Sequence, residues 1–169
     1  MDELATLPAL SMVEKYKDRS ISPVDVITAT FDRIKAFEHR VNAFTLTDEE
    51  SAFEAAQQSE KRWKLGKPLS PLDGVPATIK DLLLTKNWPT LRGSRTSDKS
   101  VAWNEDSPST ARLREAGCVL IGKTTTPEFG WKGVTDSPLS GITSNPWNTK
   151  MTPGGSSGGA AVAASLGMG

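Results

Sequence analysis

Apolar residues recur at three- and four-residue steps through Val24, Ile27, Phe31, Ile34 and Phe37, which lines one face of a helix starting near Ser22. Ser22 is a good N-cap, Pro23 suits the first helical position, and Asp25 stands where a capping-box acid belongs. A shorter helix is expected over residues 7–18, and "AFTLT" (43–47) reads as a strand. "DEESAFEAAQQSEKRWKLG" reads as a helix, with acids in its first turn, bases in its last and Gly66 as its stop. In "PLDGVPATIKDLLL" the period drops to two: Val75, Ala77 and Ile79 share one face of a strand, with Thr78 and Lys80 on the other. Residues 85–105 form a polar loop, "SPSTARLREAG" a further helix, and "CVLIG" a buried strand with Lys123 at its exit. A second long loop, Thr124 to Pro153, precedes "GGAAVAASLG", a helix of small residues suited to close packing on a sheet. Strands separated by helices predict an α/β fold with a partly parallel sheet.

The 169 residues suffice for one domain with a core. Residues 1–66 form a mainly helical lead-in, and 67–169 form the strand and helix half that carries the candidate chemistry. A formal net charge of zero gives no broad pull toward nucleic acid or an acidic membrane. No run of 18 apolar residues is present to span a bilayer, and "MDELATLPAL" is no secretory signal, so the expected compartment is the cytoplasm. Cys118 is the single cysteine, and neither a disulfide framework nor a metal site is expected. His39 is the single histidine, which restricts histidine-based catalysis more than any other count does.

Three motifs match on paper. Gly117 to Thr124 fits the phosphate-loop pattern G-x-x-x-x-G-K-[ST], but its middle residues are themselves the strand and a helix precedes it, the reverse of what a phosphate cradle needs. The nucleophile elbow G-x-S-x-G fits around both Ser156 and Ser157, yet "NTKMTP" is a poor strand and no histidine lies downstream. With His39 read as a surface helix residue, lysine is the remaining base, and Lys80 at the end of an apolar strand is the candidate.

"GVPATIKD" (74–81), "STARLREAGCVLIGKTTTPEF" (109–129), "SNPWN" (144–148) and "PGGSSGGAAVAA" (153–164), in this order, resemble the amidase signature family. That resemblance implies a mixed sheet covered by helices and a Ser–cis-Ser–Lys triad needing no cofactor. Lys80 matches the family's lysine, and Ser156 the middle serine, whose preceding peptide bond is cis; Gly155 removes one Cβ clash there. Ser157 is then a supporting hydrogen-bond partner, and Asp81 orients the lysine loop. The expected partner is a small-molecule amide, with Trp131 and Thr152 as weak candidate contacts; a loop tryptophan such as Trp131 or Trp147 is more often a packing anchor than a pocket wall.

The family's acylated serine lies farther along, in a T-D-x-G-G-S segment that also supplies the oxyanion hole. Here 12 residues follow Ser157 and none match that segment. The chain is therefore expected to be the N-terminal part of one amidase-signature domain, inactive alone, and to self-associate or need a complementing part because strand edges stay unpaired. Three other functions are compatible with the sequence. They are an α/β-hydrolase with its elbow at Ser156 or Ser157, a non-catalytic scaffold of the same fold, and the A-type subunit of an amidotransferase working on misacylated tRNA.

Overall fold

A computed structural model describes residues 2–169. Two short helices, α1 (Asp2–Ala5) and α2 (Ala9–Asp18), lead into the long helix α3 (Pro23–Val41). The capping box forms as the sequence predicts: Asp25 N–H donates to Ser22 Oγ (3.1 Å), and Ser22 N–H donates to Asp25 Oδ2 (2.8 Å). Strand β1 (Phe44–Thr47) follows, then α4 (Glu49–Lys64), β2 (Pro76–Lys80), α5 (Pro108–Glu115), β3 (Val119–Thr124), a 3-10 turn (Glu128–Gly130), the ribbon β4 (Asp136–Ser137) with β5 (Gly141–Ile142), and α6 (Gly158–Ser165). The ribbon lies inside the stretch that sequence reading treats as loop.

The main sheet has the order β1-β3-β2, with β3 antiparallel to β1 and parallel to β2. On one face Val119 and Ile121 join Ile27, Phe31 and Ile34 of α3 and Val162 and Ala163 of α6 in the main core. On the other face Leu120 packs with Ile79 and Trp88. Asp48 links the two sides of β1: Oδ1 caps α4 by accepting from Ser51 N–H, and Oδ2 accepts from Trp88 Nε1 (2.8 Å). Small residues bring α6 onto the sheet, as the sequence implied. A Cβ at Gly159 would stand 2.6 Å from the Ala43 carbonyl oxygen, so only glycine permits that approach.

Two expectations are corrected. Lys123 is not at a strand exit; it lies within β3, whose six residues are all buried. In the β2–β3 ladder Ala77 pairs with Leu120 but Thr78 pairs with Gly122, leaving Ile121 as an extra residue. That bulge resets the alternation and pairs Lys123 with Ile79. Trp131 and Trp147 are 76% and 80% exposed, so neither is a packing anchor; Trp88, at 5%, is one.

Candidate active site

Lys80 is the last residue of β2, paired with Thr124 at the end of β3. Across from it runs the loop 154–157, which opens α6. Gly154 takes φ +86°, and the Gly155–Ser156 peptide bond is cis. A Cβ on Gly155 would meet Val134 N at 2.8 Å, so the loop lies directly against the segment 133–135. Lys80 Nζ donates to Ser156 Oγ (2.7 Å) and to Ser157 Oγ (3.0 Å). Burial holds the Lys80 amine below the usual lysine range. The three residues that sequence reasoning placed together therefore meet in space from positions far apart in the chain.

Asp81 turns away from the serines. It is 1% exposed and stands 3.5 Å from Lys123 Nζ, itself 0% exposed. Lys123 Nζ donates to Leu83 O (2.7 Å) and Thr90 Oγ1 (2.7 Å), while Leu91 N–H donates to Asp81 Oδ1 (3.2 Å). The pair thus clamps the loop that leaves Lys80. Burial dominates both groups: it pushes the Asp81 carboxyl up despite Lys123, and pulls Lys123 down to about 8 despite Asp81.

The weaker candidates lie elsewhere. Thr152 accepts from Gly154 N–H (3.1 Å) and lines a cavity of about 330 Å3 with Val134, Ile142 and Met151. Trp131 projects into solvent just after the 3-10 turn. His39 is exposed on α3, and no strand leads into the serine loop, so neither part of a nucleophile elbow is assembled. Among the described residues no group of three or more His, Cys, Asp or Glu side chains is placed to hold a metal ion.

Sequence reasoning missed two supports. Lys123 carried a signal, since a lysine directly continuing an apolar strand run is a candidate buried cation. Thr135, 2% exposed in β4's approach, carried none: it is one threonine in a Thr-rich loop.

The sequence profile of the family described as Amidase matches residues 25–169. The A-type subunit of glutamyl-tRNA(Gln) amidotransferase from Salinispora arenicola (strain CNS-205) is 41% identical over 96% of this chain and 33% of the relative's length. Indoleacetamide hydrolase of Bradyrhizobium diazoefficiens is 37% identical over 95% of this chain and 30% of its own. Among solved structures, a bacterial aryl acylamidase of the amidase signature family superposes with a TM-score of 0.85, at 34% identity, over 93% of this chain and 33% of that one. The chain thus spans about a third of the length of these relatives.

Proposed function

The chain belongs to the amidase signature family, and from that premise we propose that it contributes the lysine and the relay serine of a site that hydrolyses carboxylic amides through an acyl-enzyme. The observation that carries this reading is the 2.7 Å contact between Lys80 Nζ and Ser156 Oγ. In its neutral form Lys80 accepts the Ser156 hydroxyl proton, and Ser156 accepts one from an attacking serine supplied from outside these 169 residues. The attacking oxygen bonds to the amide carbon, and the C–N bond breaks. The leaving amine takes the proton back from Lys80 by way of Ser156, and water then cleaves the ester. Burial favours the neutral amine that the first step requires. Ser157 steadies the amine through its second hydrogen bond, and Asp81 orients the lysine loop. On this reading the 169 residues alone do not turn over amides.

The test is expression of the reading frame with whatever follows Gly169, then labelling with a fluorophosphonate probe. Lys80→Ala and Ser156→Ala should each abolish labelling of a downstream serine. Undiminished labelling in Lys80→Ala removes Lys80 from the mechanism.

A second reading is favoured by the relative named as part of an amidotransferase: the ammonia released at this site passes to a misacylated tRNA. Ammonia release from glutamine that rises when glutamyl-tRNA(Gln) and the partner proteins are added separates it from simple hydrolysis.

A further inference from the structure

The loop that carries Ser156 has both of its ends attached to one oxygen atom. Thr135 Oγ1 donates to the Gly154 carbonyl (2.8 Å) and accepts from Gly158 N–H (3.0 Å). Between those attachments lie only Gly155, Ser156 and Ser157. The hydroxyl that makes both bonds is itself enclosed, and Thr135 O is held in turn by Thr143 N–H (2.9 Å) from across the β4–β5 ribbon. A Cβ on Gly158 would collide with the Thr135 side chain, standing 2.7 Å from its Cβ, so the threonine fits flush against the first turn of α6. Gly158 N–H belongs to that first turn, where backbone donors have no partner within the helix. One side chain therefore satisfies a helix donor and fixes the loop's entry at the same time.

We propose that Thr135 is the positioning residue for Ser156: its hydroxyl holds the serine loop at the separation from β2 that lets Ser156 meet Lys80. Neither partner of the relay touches Thr135's hydroxyl. It acts through the backbone at Gly154 and Gly158, and the relay distance follows from where those two points sit. Thr135→Val keeps the side chain's shape and deletes both bonds. Thr135→Ser keeps the hydroxyl and deletes the methyl. The catalytic consequence rests on the amide-hydrolase reading, but the geometric one does not, and the two are read separately.

Two measurements on the protein decide it. The first is the pH dependence of Lys80 acylation by acetic anhydride, followed by peptide mapping. In Thr135→Val the freed loop uncovers the amine, and its titration moves up toward that of an ordinary lysine. In Thr135→Ser it stays where the wild type has it. The second is amide hydrolysis by the polypeptide that carries this chain: kcat falls roughly 10–100-fold in Thr135→Val with KM unchanged, and Thr135→Ser restores it. A purely structural threonine would lower stability while leaving both readouts unmoved, and that result overturns the proposal. If Thr135→Val does not fold, Thr135→Ala against Thr135→Ser carries the same comparison, and failure of Thr135→Ala to fold assigns the residue to stability alone. If the wild type hydrolyses no amide, the functional reading fails while the Lys80 titration still decides the role of Thr135.

Discussion

Asp81→Asn tests the clamp beneath Lys80. The substitution keeps the side chain's shape and removes the one negative charge beside Lys123, an ammonium with no solvent exposure. Removing one partner of a buried ion pair costs about 3–5 kcal/mol, because the other charge is left uncompensated. The value here should lie toward the lower end, since Leu83 O and Thr90 Oγ1 still accept from Nζ. The pH dependence is the sharper readout. Burial already lowers Lys123 from 10.5 to about 8, and Asp81 is the influence that opposes the drop. Without Asp81 the folded-state value falls further. A lysine whose folded value lies below its unfolded one binds fewer protons folded than unfolded between the two values. Stability therefore rises with pH across that window and is flat below it. The wild-type window opens near pH 8, and the variant's opens lower. From pH 7 to 8 the variant should gain stability relative to the wild type, by at most about 1.4 kcal/mol. Above pH 8 the two curves should run parallel. Urea unfolding followed by tryptophan fluorescence, at half-unit steps from pH 6.5 to 9, measures both. A loss under about 1 kcal/mol, or a gap that stays constant through pH 7–8, refutes the argument.

The pH–rate profile of amide hydrolysis should rise as Lys80 loses its proton and level off below the pH at which an ordinary lysine titrates, because burial depresses it; a rise centred near the ordinary value of 10.5 contradicts this. Gly159→Ala should cost about 1–3 kcal/mol by thermal denaturation, since its new methyl meets Thr125 and the Ala43 carbonyl; an unchanged Tm shows that α6 does not sit as close as described. Sedimentation velocity on the 169-residue chain should show self-association, because β1 and β2 are both sheet edges and Phe129, Trp131, Ile142, Trp147 and Met151 stand exposed along one stretch; a sharp monomer peak at high micromolar concentration speaks against it.

Elements governed by local physics were readable from the sequence. The α3 cap depends on residues three apart, and α6's approach to the sheet follows from its small side chains. The meeting of Lys80 with Ser156 was readable for a different reason: four separated segments match one family pattern, and no spacing rule alone would join them. What escaped depended on a single residue's context. Lys123 looks like a strand exit because the apolar run ends just before it, whereas the strand continues to Thr124 and one extra residue at Ile121 pairs Lys123 with Ile79. The β4–β5 ribbon is two residues per strand, too short for any period to show. Thr135 could not be told from its neighbours, because its value lies in two backbone groups 19 and 23 positions away.

Lys80 and Ser156 are joined across 76 positions of chain. During synthesis at the usual 5–20 residues per second, about 4–15 s separate the appearance of the lysine from that of its serine. Through that interval Lys80 lacks its contact with Ser156. The contact forms only when the loop that opens α6 docks against β2, so it is made by the same event that completes this part of the fold.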